Sequence, residues 1–257
     1  LNDVLTFEGT DETNLPEDVE EVCNYVHALN FARRELANPT GLPVSVRLLC
    51  EAHGRLMRGV RGASKDPGHI RRSQNWIRSA RPGTASFVPP PPEDVPEALA
   101  ALETWIHSDD PLPAILKAGL AHAQFETIHP FLDGNGRIGR LLITLLLEHW
   151  RVPAAQMLYL SLAFKHHQSE YYARLSAIRT EGDWEGWAKF YLSCVREAAD
   201  DGTLVAQRLF SLLALDRRRA TEHARATVSS LRLLEILPEN PVVTVARAAA
   251  LLKTSAP

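Results

Sequence analysis

The chain has 257 residues, 45% of them hydrophobic, with a formal net charge of −3 and a pI near 6.4. That length can bury the core of one large domain plus an appendage. The mild acidity excludes a surface dominated by nucleic-acid contacts, though not a small basic patch.

Asp18 to Leu36 carries apolar residues at helical spacing (Val19, Val22, Cys23, Val26, Leu29, Phe31), and Asn38-Pro39-Thr40-Gly41 then breaks the pattern. A second helix is expected over Val44 to Arg58, followed by a loop marked by Gly59, Gly62, Pro67 and Gly68. Gln74 to Val88, interrupted by Arg81-Pro82-Gly83-Thr84, reads as a β-hairpin, and Pro89 to Pro92 as an extended polyproline piece. Helices are expected over Pro96 to His107 and Pro113 to Thr127. From Gln168 to Ala199 the pattern is again helical, with a turn at Gly182-Asp183, and Thr203 to Ala226 forms one more amphipathic helix. Leu231 to Leu237 and Val245 to Leu252, the latter capped by Thr244, resemble the opening of a winged helix-turn-helix whose recognition helix lies past the end of the sequence.

The longest strongly apolar stretch, Leu141 to Leu147, is too short to cross a bilayer, so no membrane partner is expected. The chain opens on Leu1 without a charged-then-apolar leader and reads as truncated rather than targeted. Cys23, Cys50 and Cys194 are odd in number, far apart and without metal-ligand spacing, which suits reduced thiols and a cytoplasmic setting. His166-His167 has no partner at zinc-site spacing and reads as a surface pair.

The chemistry concentrates in His129-Pro130-Phe131-Leu132-Asp133-Gly134-Asn135-Gly136-Arg137-Ile138-Gly139-Arg140. Pro130 pushes His129 toward an extended conformation, while Ile138, Leu141, Leu142, Leu145 and Leu146 recur at helical spacing, so a loop must run into a buried helix. Its first backbone N–H groups lack intrahelical partners and the macrodipole is positive there, which suits an anion. Gly134 and Gly136 allow close approach to the backbone, and Arg137 and Arg140 lie three apart on one face. Gly134 to Gly139 also fits a dinucleotide fingerprint, but the preceding residues are helical in pattern. About twenty residues on, the chain offers Met157, Leu158 and Tyr159 in place of an acidic ribose ligand.

The twelve residues resemble the Fic family motif at every defining position. Arg72 to Ile77 and Phe87 to Pro92 resemble the family's flap region, and Tyr171-Tyr172 with Glu181 to Trp187 the segment that follows the motif. The similarity is taken from about Leu1 to about Ala199. It implies a mainly α fold with a β-hairpin flap and, here, a partial winged helix. The expected divisions are an N-terminal helical region over 1–60, a catalytic core over 61–200, a connecting helix over 201–226 and the partial winged helix over 227–257.

By the same resemblance, His129 is the general base, its imidazole titrating near neutrality, and Asn135 helps to position the α-phosphate. Asp133 is expected to hold Mg²⁺ on the nucleotide's phosphates, a role with which helix capping competes. Gly134, Asn135 and Gly136 would line the anion hole, and Arg137 and Arg140 would neutralise the β- and γ-phosphates. The flap base, Asn75, Trp76, Ile77 and Arg78, would contact nucleotide, although Arg78 departs from the small residue expected there. Tyr171 and Tyr172 would line the adenine and ribose pocket, with core packing as the competing role.

The implied activity is protein adenylyltransfer: AMP moves from ATP to a Ser, Thr or Tyr hydroxyl of a target protein held along the flap by strand addition. Self-modification and a homodimer are compatible with it. De-AMPylation, kinase-like or phosphocholine transfer are alternatives within the family, and a DNA-binding regulator using the domain as a nucleotide sensor is one outside it. Glu8-Gly9 resembles the end of the family's inhibitory helix, but Val4 stands where Ser or Thr is required, so the restraint is expected upstream of Leu1.

Overall fold

The computed structural model describes residues 17–60, 62–77, 82–153, 155–222, 227–240 and 243–254. Arg78, Glu8 and Gly9 lie outside the described residues. The chain divides into a larger compact unit, Glu20–Asp200, and a smaller one containing Asp201–Pro257.

The larger unit is helical. In chain order it contains α1 (Glu17–Ala37), α2 (Val46–Leu56), α3 (Val95–Ile106), α4 (Ala114–Ile128), α5 (Asn135–His149), α6 (Leu160–His166), α7 (Gln168–Glu181) and the first part of α8 (Trp184–Glu222). Short 3₁₀ turns occupy Pro82–Thr84 and Ala155–Met157. The second helix begins later than periodicity indicates because Ser45 caps it, its side chain accepting from the Leu48 N–H. Short α6 was not anticipated.

Helices α4 and α5 form the most extensive pairing of the unit. Ile138, Leu141, Leu142, Leu145 and Leu146, the stripe legible in the sequence, are all fully buried. At about 1.5–3 kcal/mol per side chain, that stripe anchors the start of α5 against the core. Gly119 on α4 sits under the Tyr191 ring, leaving no room for a Cβ, and its carbonyl accepts from Trp187 Nε1 at 2.9 Å. These contacts seat the first half of α4 against α8.

Among the described residues there is no β-strand. Of the expected hairpin, the described residues show one antiparallel bridge, Ile77 with Phe87, in which Ile77 N–H donates to the Phe87 carbonyl and Ser86 N–H to that of Ile77, both at 3.0 Å. The bridge is held from outside: Gln74 Nε2 donates to the Pro89 carbonyl at 2.9 Å.

In the smaller unit, α8 continues without the break expected between Ala199 and Thr203 and reaches 39 residues in all. Gly202 costs about 1 kcal/mol in a helix interior, too little to stop one supported on both sides. Helices α9 (Val228–Ile236) and α10 (Val245–Leu252) pack on each other. A capping box opens α9: the Thr227 hydroxyl accepts from the Ser230 N–H and the Ser230 hydroxyl from the Thr227 N–H. Thr244 caps α10 as expected.

Candidate active site

His129 ends α4 in a left-handed conformation, φ 50°. A non-glycine residue accepts that geometry when its surroundings dictate it. Here Arg71, only 1% exposed, supplies the constraint. Its Nε donates to the His129 carbonyl at 2.8 Å and its Nη2 to the Ile128 and Pro90 carbonyls at 3.3 and 2.6 Å, while its backbone N–H reaches the Pro130 carbonyl at 2.8 Å. A buried guanidinium without a carboxylate is thus satisfied by carbonyls at the negative end of a helix.

The loop that follows is closed from three sides. Asn135, 2% exposed, accepts from the Phe131 N–H at 2.8 Å and donates to the Phe131 carbonyl at 2.7 Å. The Asn135 amide, expected at the α-phosphate, is therefore spent on the loop's own backbone. Asn75 Nδ2 donates to the carbonyls of Phe131 and Leu132 at 3.3 and 3.4 Å, so this flap-base residue meets the loop directly. On the third side, His53 stacks on Phe131 with ring centroids 3.9 Å apart. Its Nδ1 accepts from the Gly68 N–H at 2.8 Å, so the proton resides on Nε2, which donates to the Asp133 carbonyl at 3.0 Å. Gly134, φ 77°, begins the turn into α5, where a Cβ would lie 2.9 Å from Met57 Sδ.

The two motif arginines differ. Arg137 Nη1 lies 3.3 Å from Glu21 of α1 and its Nη2 3.8 Å from Asp133 and 3.3 Å from Met57 Sδ. The guanidinium of Arg140, among the described residues, makes no hydrogen bond or ion pair with a side chain. Asp133 is partly exposed, and its Oδ1 accepts from the Gly134 N–H at 2.6 Å.

Electrostatics set the histidine's state. Burial pushes the His129 imidazole down to about 4, the nearby Arg179 and Arg71 acting in the same direction, while a hydrogen bond the ring donates to the Glu126 backbone carbonyl and the Asp133 charge partly oppose them. At neutral pH the ring is uncharged and able to accept a proton. Nδ1 faces Glu126, 4.0 Å from Oε2, which leaves Nε2 as the nitrogen for that proton. Glu126 is itself buried, and its carboxyl is raised to about 7 by desolvation, against the lowering influence of Arg140 and Arg179. Gly139 makes room for it, since a Cβ there would stand 2.6 Å from Glu126 Oε1.

Tyr171 departs from expectation. It is 6% exposed within an aromatic cluster with Phe164, Trp187 and Phe190, and its hydroxyl pairs with His122 Nε2 at 2.9 Å. Tyr172 is 40% exposed, and Trp76 and Ile77 are half-buried. His166 and His167 share one carboxylate, Glu197, at 2.9 and 2.7 Å. All three cysteines are free, and no described helix is long and apolar enough to cross a membrane. Sequence reasoning missed His53, Arg71, Glu126 and Arg179, which reach the site only through tertiary contacts. The lone acidic residue of the apolar run Ala121 to Ile128 was the one visible signal among them.

A Mg²⁺ that arrives on phosphates asks the protein for one or two carboxylates. Among the described residues no cluster of three His, Cys, Asp or Glu side chains is arranged for a metal, and Asp133, partly exposed beside the glycine turn, fits such a single-carboxylate role.

Comparison with known proteins places this geometry. Residues 43–147 match the model of the Fic/DOC family. Over 164 residues the chain is 30% identical to the protein adenylyltransferase Fic of Drosophila willistoni, covering 62% of this chain and 29% of that protein. It is 28% identical over 138 residues to a probable protein adenylyltransferase of Aquifex aeolicus, covering 54% and 34%. The matches thus span about a third of the length of these curated relatives. Among solved structures, a Fic family protein from Desulfovibrio desulfuricans G20 superimposes with a TM-score of 0.67 at 23% identity, over 93% of this chain and 71% of that one. Fic-1 of C. elegans does so with a TM-score of 0.62 at 22% identity, over 80% and 57%. Residues 43–147, which contain the whole His129–Arg140 loop, are thus the part of the chain that matches the Fic/DOC family.

Proposed function

We propose that this chain is a protein adenylyltransferase that transfers AMP from ATP to a hydroxyl of a polypeptide and releases pyrophosphate. The observation that carries the reading is the placement of the partly buried His129 imidazole at the end of α4, beside the glycine-lined N-terminus of α5. Relatives named protein adenylyltransferase support it.

In this reading the triphosphate lies against the first turn of α5, where backbone N–H groups and the helix dipole favour negative charge. Arg140, unpartnered among the described residues, supplies a cation to the phosphates, and Arg137 a second one fixed by Glu21. His129 Nε2 takes the proton of the acceptor hydroxyl as its oxygen bonds to the α-phosphorus and the bond to the β-phosphate oxygen breaks. The electron pair leaves with pyrophosphate. Mg²⁺ carried by the phosphates would be held by Asp133 and would neutralise charge on the leaving group.

The bridge of the flap, Ile77 with Phe87, offers its edge to an extended target segment, which positions a Ser, Thr or Tyr hydroxyl by backbone contacts. The adenine is left to the flap base and Tyr172, since Tyr171 is committed to the core.

The test is incubation of the chain, alone and with candidate target proteins, with ATP labelled at the α- or the γ-phosphate. Label retained from the α position and lost with His129→Ala supports the assignment. Retention of γ-label would establish a kinase-like transfer instead.

A further inference from the structure

Among the described residues the flap has one bridge, too small to hold its own geometry, and two arginines from distant parts of the chain meet both the flap and the end of α4. Arg71 donates to the His129 and Ile128 carbonyls on one side and to the Ser73 and Pro90 carbonyls, which flank the flap, on the other. Arg179 of α7 donates from Nη2 to the Glu126 carbonyl at 3.0 Å and from Nε to the Thr127 hydroxyl at 3.4 Å. Its guanidinium carbon also lies 3.8 Å from the centre of the Phe87 ring, the flap half of the bridge. Hydrogen bonds run in the plane of a guanidinium and stacking uses its face, so one group can make both contacts without compromise.

We propose that Arg71 and Arg179 are positioning residues that couple the flap to the last turn of α4, so that an acceptor strand added to the flap and the imidazole of His129 are held in one common frame. Neither guanidinium needs to touch nucleotide. The assignment of what the flap holds rests on the adenylyltransfer reading; the coupling itself does not.

The physical reason for two such ties is tolerance. In-line attack demands that reacting atoms be placed to within about 0.5–1 Å, and a two-residue bridge on a loop is softer than that. Tying the flap to the same carbonyls that fix His129 makes the two move together. Arg71 carries the flap's ends and Arg179 its middle, at Phe87. Lysine in either place would keep the charge and lose the fork, with one ammonium unable to serve both sides.

Arg71 is too buried for a clean substitution, so the experiment uses Arg179→Met and Phe87→Leu. Amide hydrogen exchange, read without nucleotide or target, should accelerate about tenfold at Ile77 and Ser86 in both variants, while the buried turns of α2 and α5 keep their protection. The His129 titration, followed by NMR, should move up in Arg179→Met, because a nearby positive charge is lost, and stay in place in Phe87→Leu. The other charged groups facing His129, namely Arg71, Asp133 and Glu126, are the same in both variants. In transfer assays with an accepted polypeptide, both should raise the acceptor KM several-fold and leave ADP affinity unaltered, and Arg179→Lys should restore the titration but not the exchange. Unaltered exchange at Ile77 and Ser86, or equal acceleration throughout the domain, would overturn the coupling. If instead exchange and titration respond as stated but no α-label is ever transferred, the coupling stands and the functional reading falls.

Discussion

Between Pro130 and Asn135 the backbone is held by His53, Arg71, Asn75 and Asn135, whereas the described part of 74–88 holds itself through the Ile77–Phe87 bridge and the bond from Gln74 to Pro89 and borrows the rest from Arg71 and Arg179. Under the proposed function the first region would receive an invariant ligand, a charged phosphate chain, and would benefit from rigid donors that cost no reorganisation. The second would receive polypeptides of differing sequence, which a backbone edge suits because it reads no side chain. Rigidity is thus concentrated where the chemistry is constant, and the softer element is tethered to it.

The sharpest way to break that contrast is at the base itself. His129→Ala should lower AMP transfer by about 10²–10⁴-fold, the usual worth of a positioned general base, with melting temperature little altered. A variant as active as the parent would remove the imidazole from the reaction. For the parent, the acid limb of kcat/KM should follow the free enzyme's depressed imidazole and fall only as pH approaches about 4; a limb near 6.5 would show that His129 is not held uncharged by its burial.

Next comes the loop's internal staple. Asn135→Ala leaves the Phe131 N–H and carbonyl without their buried partner, which should cost about 2–4 kcal/mol in chemical denaturation and reduce activity with it. Stability equal to the parent's would mean that the loop is not closed as described.

The arginines separate binding from structure. Arg140→Met should weaken ATP-analogue affinity about tenfold in calorimetry while leaving stability nearly intact, because among the described residues the side chain makes no ion pair. Arg137→Met should weaken affinity as well, but also remove its ties to Glu21 and Asp133, costing about 1 kcal/mol. Equal stability losses for the two would refute the distinction.

The smallest effect is a pH dependence beneath the loop. The folded-state carboxyl of Glu126 is raised from 4.5 to about 7, so its contribution to stability is complete below about pH 4.5 and is lost as pH rises through about 7. Glu126→Gln removes that loss, so its melting temperature should gain on the parent's as pH rises across this window. His122 and His129, lowered to about 3 and about 4, act oppositely: their contribution is present above 6.5 and lost as pH falls. Both are retained in the variant and cancel. A difference that does not vary with pH would place Glu126 in a solvated environment.

Much of this was legible in residue order because it depends on local periodicity and spacing. The α5 stripe, the cap at Thr244 and the glycine turn at Gly134 are short-range effects that a neighbouring residue decides. The expectations that changed depended on competition between distant groups. The break expected between Ala199 and Thr203 is bridged by α8, and of the two roles open to Tyr171, pocket lining and core packing, the core was decided by His122 forty-nine positions away.

The twelve residues from His129 to Arg140 by themselves determined the chemical inventory and the resemblance to the Fic family, since a base, a carboxylate, two cations and flexible glycines at a helix start restrict what can bind there. Only the tertiary structure decided the state and placement of that inventory. Burial depresses the imidazole, Glu21 claims one arginine and not the other, and Arg71 and Arg179 bring the flap to the end of α4. The reason is that desolvation and hydrogen-bond geometry are properties of surroundings, and the surroundings here come from residues dozens of positions away.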